Sequence, residues 1–395
     1  MIKGIPLDET RTRVSRFTET FPPEMMGAVL SDDQYIYYLC AFHFIPTERP
    51  IMLVITREGE RILFVPRLEE EHAKQASHAD RVVSYPEYPG EVHPLKLFVK
   101  LLEELGLGQG TLGIDYDGYP HVLGYQGPVL SELISNPLRR MHPELDRLIA
   151  VKSPFEIELI RESCRWGNLA HRLLQKYTRV GEIETEVSMR ASQEATRIMV
   201  ETLAPYHKSN SRWQEGAVAG YRGQIGRNSS VPHAVGANLI FKEGDVLVTG
   251  AASAVWGYLS ELERTMIIGT PTAKQKTYFD HMIAVQDIAF ESMRAGVTAS
   301  SVDQAVRQYF SKHHLEPYWR HHTGHSISMR YHEGPYLDTG DHSILEAGMV
   351  FTVEPGIYDP EVGGFRHSDT VMVTEQGVEF LTYYPRDLES LTLPV

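Results

Sequence analysis

The sequence predicts a two-domain protein in which a smaller α/β domain, residues 1–150, precedes a larger α+β domain, residues 151–395. Three observations support this prediction. The 395 residues exceed what one ordinary hydrophobic core contains. Helices and strands alternate in the first third, whereas helix pairs followed by strands occur twice in the remainder. Apolar residues make up 42% and charged residues 23% of the chain, as is typical of folded globular proteins.

The first domain is predicted to combine helices with short strands. Apolar residues recur at helical spacing at the start of the chain and again before a pair of glycines near residue 106. Two apolar runs flank a turn-like Arg-Glu-Gly-Glu segment, which is typical of a hairpin. The aromatic run at 35–38 is predicted to be a buried strand or a subunit contact. The other predicted elements are an opening helix over about 7–21, a hairpin at 51–55 and 61–65, a helix over about 95–105 and a strand at 111–115.

A well-marked helix start opens the second domain. Ser153 can cap the helix, Pro154 fits its first position, and Glu156 can reach back to the backbone N–H of the cap. The elements that follow form two similar groups, which predicts an internally duplicated α+β domain. The predicted helices are 154–173, about 186–200, about 275–294 and 301–312, and the predicted strands are 245–248, 257–268, 349–355 and 369–373.

The charge balance and the cysteines limit the possible partners and compartments. The chain carries 52 acidic and 38 basic residues, a net charge of −14. This negative net charge excludes sequence-independent binding to nucleic acid and binding to an anionic membrane, because both kinds of binding need a positively charged surface. No apolar run approaches the ~20 residues of a spanning helix. Two cysteines, Cys40 and Cys164, cannot form a disulfide framework. We therefore expect a cytoplasmic, enzyme-sized protein.

Residues that bind or react are concentrated in four short segments of the second domain. These segments are 229–233, 257–265, 321–333 and 353–369. Histidines and carboxylates in such density are typical of proton transfer, of metal binding or of recognition of a cation. The candidate residues in the four segments are His233, Tyr258, Glu261, Glu263, His325, His332, Glu333 and Glu354.

Taken together and in this order, the four segments resemble the pita-bread superfamily, whose members include proline-specific aminopeptidases and dipeptidases, methionine aminopeptidase and creatinase. The resemblance covers almost the whole chain, including the junction at 152–156. It implies a pita-bread fold for residues 151–395 and a creatinase-type N-terminal domain before it. It also implies a homodimer in which the partner's N-terminal domain closes the active site, with segment 42–49 and its Arg49 as the candidate contact.

The metal ligands of the peptidase members can be matched one by one. Those members hold two divalent ions with two Asp, one His and two Glu side chains. Here Gly250 stands at the first Asp, Glu261 at the second, His325 at the His, Glu354 at the first Glu and Ser368 at the last Glu. Divalent ions at such sites need several carboxylate oxygens. We therefore expect no metal cofactor. The alternative is a single ion held by Glu261, His325 and Glu354.

Creatinase is the metal-free member, and residues 262–265 resemble its Leu-Glu-Arg-Thr hairpin end. In creatinase the residues that match Glu263 and Glu354 bind the substrate guanidinium, and the residue that matches His233 moves the proton. Glu261 and Glu263 lie two apart on a predicted strand, so their side chains share a face. Such a carboxylate pair suits a planar amidinium or guanidinium through charge-assisted hydrogen bonds.

These matches assign roles to nine residues. The predicted catalytic residues are His233, Glu263, His325, His332 and Glu354. The predicted substrate-binding residues are Arg49, Tyr258, Glu261 and Glu333. The leading hypothesis is thus a metal-independent hydrolase of a non-peptide C–N bond in a small amidine- or guanidine-like substrate. Creatine itself is not predicted, because Tyr336 stands where creatinase has a substrate-binding Arg.

Two alternatives remain open. The first is a proline-specific aminopeptidase or dipeptidase with a reduced metal site, which His233, His332 and Glu333 favour because the peptidases use both histidines around the scissile bond. The second is a catalytically inactive pita-bread module used for binding. The retained charges argue against the second alternative, because converging charges destabilise a fold when they are left unpaired.

Overall fold

The computed structural model describes residues 2–120 and 124–395 of the chain. The chain divides into two compact units. One unit is Ile5–Ile149, and the other is Ala150–Val395 together with the residues before Ile5. No helix of the described part is both long enough and apolar enough to cross a membrane.

The unit Ile5–Ile149 is built on one mixed six-stranded sheet with the strand order β4-β3-β2-β1-β5-β6. The pairs β1–β2 and β2–β3 are antiparallel, and the other three pairs are parallel. Its helices are α1 Leu7–Thr18, α2 Asp33–Cys40, α3 Glu70–Ala76, α4 Pro94–Glu104 and α5 His142–Ala150. Its strands are β1 Met25–Leu30, β2 Met52–Thr56, β3 Arg61–Pro66, β4 Arg81–Tyr85, β5 Thr111–Ile114 and β6 Leu138–Arg140.

The core of this unit lies between the sheet and helix α4. Alternate residues of β2 and β3 point to the same side of the sheet, as the two-residue period of a strand requires. They meet the apolar face of α4, whose buried residues recur at helical spacing. The residues that pack together there include Met52, Val54, Ile62, Phe64, Leu95, Phe98, Leu101 and Leu102. Because β2 and β3 are consecutive and pair antiparallel, the predicted hairpin at 51–55 and 61–65 is confirmed.

The aromatic run at 35–38 lies in helix α2 and not in a strand. The side chain of Asp32 accepts hydrogen bonds from the backbone N–H groups of Gln34 and Tyr35, which caps the helix. All four side chains of the run are buried, at 2% exposure or less. Periodicity could not separate the two structures, because the run is apolar on every side.

The second unit contains two helix pairs, α6–α7 and α8–α9, each of which packs together. Its helices are α6 Pro154–Tyr177, α7 Glu184–Leu203, α8 Ala273–Ser292 and α9 Ala299–Lys312. Its strands are β7 Val218–Gly220, β8 Val246–Val248, β9 Gly250–Ala252, β10 Ala254–Val255, β11 Tyr258–Leu259, β12 Leu262–Glu263, β13 Thr265–Ile268, β14 Gly324–Ser326, β15 Glu333–Leu337, β16 Val350–Val353, β17 Gly356–Asp359, β18 Gly363–Arg366, β19 Ser368–Val373, β20 Val378–Phe380 and β21 Thr392–Leu393.

The main sheet of this unit runs in the order β15-β14-β16-β19-β12-β9-β7, with β20 beside β19. Its strand pairs are antiparallel. Strands β8, β13 and β21 form a second, three-stranded sheet, and β10–β11 and β17–β18 are separate hairpins. The main sheet matters for function, because strands from distant parts of the sequence become neighbours in it.

The predicted start of α6 is confirmed. The hydroxyl of Ser153 accepts a hydrogen bond from the N–H of Glu156, and the Glu156 carboxylate accepts one from the N–H of Ser153. The predicted strand at 257–268 is instead divided into β11, β12 and β13, so Glu261 lies between two strands. Arg264, which separates β12 from β13, forms a buried ion pair with Asp369 at 2.8 Å.

Candidate active site

Three side chains that can bind a metal ion converge at the main sheet. Glu261 precedes β12, His325 is the central residue of β14, and Glu354 follows β16. Because β14 pairs with β16, and β19 connects β16 to β12, the three residues meet although about 90 positions separate the first from the last. One ligand atom from each lies within 4.8 Å of the others. We refer to these three residues as the ligand cluster.

His325 is oriented by its neighbours in the sheet. Its Nδ1 lies 3.1 Å from the carbonyl oxygen of Ser326. An N–H at Nδ1 can therefore donate to that carbonyl, which leaves Nε2 facing the cluster. Nε2 is buried, has no well-aligned hydrogen bond among the described residues and lies 3.1 Å from Oε1 of Glu354. This is the arrangement that a metal-binding histidine needs.

The charges of the ligand cluster depend on one another. Burial lowers the pKa of His325, but the carboxylates of Glu354 and Glu261 outweigh it and raise that pKa to about 9. Burial also opposes ionisation of Glu354, yet His325 and Arg366 hold its pKa well below the usual range. Burial and the charges of Glu354 and Glu263 raise the pKa of Glu261 to about 7. Near pH 7 the protonated ring of His325 therefore balances the ionised Glu354, and Glu261 is only partly ionised.

Glu263 is held by two arginines. Arg366 donates to both oxygens of its carboxylate, through Nε to Oε2 and through Nη2 to Oε1 over 2.8 Å. Arg222 donates from Nη2 to Oε1 over 2.7 Å. We refer to Arg222, Glu263 and Arg366 as the arginine clamp. The sequence suggested that Glu263 binds a cationic substrate, but in the structure two guanidinium groups of the chain itself already contact both of its oxygens.

The two positions that lack a metal ligand lie beside these groups. Gly250 begins β9, and a Cβ atom added there would be 3.7 Å from Arg222 Nη2 and 3.7 Å from Glu263 Oε1. Ser368 begins β19, opposite Glu263 in the strand register. Its hydroxyl donates to Oε1 of Glu261 over 2.8 Å. Neither position offers an anionic ligand.

A cavity of about 790 Å³ opens over these residues. Two carboxylates, Glu261 and Glu263, line it together with Arg222, and small apolar side chains form much of its wall. A mostly apolar cavity with a few polar groups is the usual form of a small-ligand site. The remaining lining residues are Trp213, Val218, Ala219, Gly220, His233, Ala234, Gly250, Ala251, Ala252, Arg330, Tyr331 and His332.

Two histidines lie at this cavity beside the ligand cluster. The ring of His332 stacks on that of His325, with 3.9 Å between the ring centres. Burial and the positive charge of His325 lower the pKa of His332 to about 4, so its ring is neutral near pH 7. His233 is exposed and follows the short helix Gly226–Ser230. Both rings can therefore reach a bound molecule.

Three residues with predicted substrate-binding roles lie outside this group. The oxygens of Glu333 accept from the hydroxyl of Ser328 and from the N–H of Arg330. Tyr258 is fully buried and donates to Glu156 over 2.7 Å. Neither Glu333 nor Tyr258 lines the cavity. Arg49 belongs to the unit Ile5–Ile149, where it forms ion pairs with Glu48 and Glu87.

Sequence reasoning missed Arg222, Trp213 and Tyr331 as residues of the cavity. Arg222 has a positive φ of 52°, uncommon for a residue other than glycine, in the turn after β7. Its neighbour Gly223 was a local signal of that turn. Trp213 and Tyr331 form an edge-to-face aromatic pair from distant parts of the sequence. Such a pair cannot be read from spacing along the chain.

The residues fit one metal ion and do not fit two. The nitrogen and two carboxylates of the ligand cluster match the ligand types of an open mononuclear site. The buried, poorly bonded Nε2 of His325 supports the same conclusion. A second ion would need ligands at positions 250 and 368, where the chain has a glycine and a serine.

Comparisons with known proteins identify the family. The model of the metallopeptidase family M24 matches residues 158–375, and that of the creatinase/prolidase N-terminal domain matches residues 24–126. The Xaa-Pro dipeptidase of Pyrococcus furiosus is 28% identical over 335 residues, which are 85% of this chain and 88% of the relative. The crystal structure of dipeptidase PepE from Mycobacterium ulcerans has a TM-score of 0.82 at 25% identity, covering 99% of this chain and 100% of that one. The crystal structure of the prolidase from Pyrococcus horikoshii has a TM-score of 0.77 at 25% identity, and the match covers 95% of this chain and 99% of that one.

These findings confirm the predicted fold and correct two other predictions. The expected metal-independent hydrolase of a non-peptide C–N bond is wrong, because the matching relatives are dipeptidases and prolidases and the matching family is one of metallopeptidases. The expectation of no metal cofactor is wrong for the same reason, and because three ligands converge in the structure. The pita-bread domain preceded by a creatinase-type domain is confirmed. The chain belongs to the metallopeptidase family M24.

Proposed function

We propose that the protein is a proline-specific peptidase, a dipeptidase or aminopeptidase acting on Xaa-Pro peptides, whose active site holds one divalent metal ion. This is the first of the two alternatives that the sequence left open. The observation that carries the proposal is the convergence of Glu261, His325 and Glu354 within 4.8 Å beside a cavity. The names of the relatives, Xaa-Pro dipeptidase among them, support the choice of substrate.

In this proposal Glu261, His325 and Glu354 would hold the ion, which supplies Lewis-acid polarisation of a peptide carbonyl when bound. His325 would present its Nε2 to the ion, because the carbonyl of Ser326 fixes the other side of the ring. His332, neutral near pH 7, donates or accepts a hydrogen bond at the peptide. His233, at the cavity, moves a proton to or from the leaving group.

The cavity wall supports a small, apolar residue beside the scissile bond. Four alanines line it, at positions 219, 234, 251 and 252, together with Val218. Short side chains leave room for a compact ring such as that of proline, and they bury its apolar surface. The half-exposed Arg222 adds a cationic group to the same wall. A short peptide is a better match to this lining than a guanidinium compound, since the clamp already neutralises Glu263.

The proposal also includes a homodimer and a cytoplasmic location. The dimer follows from the resemblance, with segment 42–49 as the candidate contact. The location is supported by two free, buried cysteines, Cys40 and Cys164. Light scattering at working concentration tests the dimer, and a monomer would contradict it.

The activity test compares substrates and metal states. The purified protein is dialysed against chelator and assayed before and after addition of Mn²⁺. The substrates are an Xaa-Pro dipeptide, a longer peptide with proline second, a dipeptide without proline and a guanidino acid. We expect cleavage of a proline peptide that chelator abolishes and Mn²⁺ restores. Chelator-insensitive turnover, or no cleavage of any proline peptide in the Mn²⁺ form, would contradict the proposal.

A further inference from the structure

The arginine clamp lies where the site lacks a ligand. Nη2 of Arg222 donates to Oε1 of Glu263 over 2.7 Å, and the Arg222 side chain is half exposed at the cavity. A Cβ on Gly250 would lie 3.7 Å from each of those two atoms. A side chain at position 250 would therefore point at the pair of Arg222 and Glu263. The space that an acidic ligand and its ion would need is next to a guanidinium.

On the side of the arginine clamp that faces away from the cavity, Glu263 is contacted by a buried arginine. Arg366 is buried and donates to both oxygens of Glu263, and its Nε lies 3.7 Å from Oε2 of Glu354. It also donates to the hydroxyl of Tyr358 over 3.0 Å. Arg366 thus connects the clamp to the ligand cluster and fixes Glu263 from the buried side. Only the side with Arg222 faces the cavity.

Charge balance limits the number of ions. The cluster and the clamp contain three carboxylates, Glu261, Glu263 and Glu354, and two guanidinium groups. With all of these ionised and His325 neutral the net charge is minus one. One divalent ion brings the net charge to plus one, whereas two would bring it to plus three without any added anionic ligand. In the wild type, which has no carboxylate at position 250 or 368, such an excess of positive charge among neighbouring groups is unfavourable.

We infer that Arg222 is a built-in cation that takes the place of a second metal ion, so that the chain binds one divalent ion at the ligand cluster. The inference rests on the proposed function only in that it takes the ligand cluster to bind an ion. The guanidinium is permanently charged. It therefore balances the charge of the Glu263 carboxylate without an exchangeable ion. Arg222 is in this sense a positioning residue for the site.

The experiment counts bound Mn²⁺ by isothermal titration calorimetry and by elemental analysis after dialysis. Four proteins are compared, namely the wild type, Gly250→Asp/Ser368→Glu, the same double variant with Arg222→Gln, and the same double variant with Arg227→Gln. Arg227 is the matched control, because it lies five residues away, is 76% exposed and does not line the cavity. Circular dichroism and thermal unfolding confirm that each variant is folded.

We expect one Mn²⁺ per chain in the wild type, in the double variant and in the Arg227 control, and two in the triple variant that lacks Arg222. The double variant has enough carboxylates for two ions, but the one added at position 250 would meet the guanidinium of Arg222 in place of a second ion. Two ions in the wild type, or two in the double variant with Arg222 in place, would overturn the inference. One ion in a folded triple variant would overturn it too, because removing the guanidinium would then have opened no site. Electron paramagnetic resonance of the Mn²⁺-loaded wild type gives a reading that needs no variant. An isolated-ion spectrum supports the inference, and a spin-coupled pair overturns it.

The outcome separates this inference from the proposed activity. A protein that shows the expected ion counts but cleaves no proline peptide would leave the role of Arg222 standing and remove the peptidase proposal. A wild type that cleaves proline peptides with two bound ions would remove the role of Arg222 and the single-ion site, and would leave the peptidase activity standing.

Discussion

Nε2 of His325 lies 3.1 Å from Oε1 of Glu354, while the other ring nitrogen faces the carbonyl of Ser326. Without an ion this contact is a buried pair in which Glu354 raises the pKa of His325. With the proposed ion at the cluster, the imidazole would be neutral and both groups would be ligands. The first prediction concerns the removal of His325.

His325→Ala should abolish tight Mn²⁺ binding and peptidase activity together. The variant leaves only two carboxylates, Glu261 and Glu354, which are too few ligands for an open mononuclear site. Calorimetric titration with Mn²⁺ checks the first effect and the chelator-controlled assay the second. His313→Ala, an exposed histidine of the same domain, is the control and should bind as the wild type does. Unchanged Mn²⁺ affinity in His325→Ala would place the ion elsewhere.

Glu263→Gln should destabilise the protein and should not change its response to cationic ligands. The change removes the carboxylate that accepts from the buried guanidinium of Arg366 and leaves only Glu354 near it, at 3.7 Å; breaking a buried ion pair typically costs about 3–5 kcal/mol. Urea unfolding measures this loss. Glu361→Gln is the control, because Glu361 is 77% exposed and meets Arg227 only at 3.9 Å. A clear loss of guanidino-acid binding in Glu263→Gln, without loss of stability, would restore a substrate role for Glu263.

His332→Ala should lower kcat roughly 100-fold or more and leave the Mn²⁺ stoichiometry unchanged. A placed side chain that transfers a proton or stabilises the reacting peptide contributes about 100- to 10,000-fold. His332 stacks on His325 but is not in the ligand cluster, so the ion should remain. Steady-state kinetics on an Xaa-Pro dipeptide, beside a Mn²⁺ titration, separates the two effects. If the variant loses its ion as well, His332 acts by supporting His325.

Much of the fold could be predicted from local signals. The reciprocal cap of Ser153 and Glu156 is visible in the sequence because its parts are three residues apart. The aromatic run at 35–38 was not predictable, because an apolar segment buried on every side has no periodicity. The predicted strand at 257–268 fails for another reason. Its residues pair with different partners, β12 with β19 and β13 with β8, so tertiary contacts divide it.

The candidate site could be predicted less completely than the fold. His325 and Glu354 were found because they belong to ordered motifs. The error about the metal arose because the lost ligands at positions 250 and 368 were given more weight than the three that remain, although a single ion on those three was the stated alternative. Arg222 was missed because its role depends on the antiparallel pairing of β7 with β9, which brings Gly220 opposite Gly250. Long-range register of this kind leaves no pattern along the chain.

The last prediction concerns the dependence of stability on pH, through the buried His171. The hydroxyl of Thr249 donates to the carbonyl of Arg264, so it must accept from His171, whose Nε2 lies 2.7 Å away. His171 is therefore protonated at Nε2, and its buried Nδ1 has no hydrogen-bond partner among the described residues. Protonation of this ring in the folded protein would therefore create a second N–H, at Nδ1, for which the described residues offer no hydrogen-bond acceptor. Burial, reinforced by the charge of Arg264, lowers the pKa of His171 to about 3.

The sign of the effect follows from linkage. In the unfolded chain an imidazole takes up a proton below about pH 6.5, whereas the folded protein keeps His171 neutral down to about pH 3. Stability from this residue is therefore fully present above pH 6.5 and is lost as the pH falls toward 3, by up to about 1.4 kcal/mol per pH unit. Urea unfolding in chelator at pH 6.5 and pH 5 should show that the wild type loses about 2 kcal/mol more than His171→Gln, which keeps an N–H donor but cannot titrate. The exposed His314→Gln is the control and should lose as much as the wild type. Equal losses in the wild type and His171→Gln would mean that His171 is charged in the folded protein.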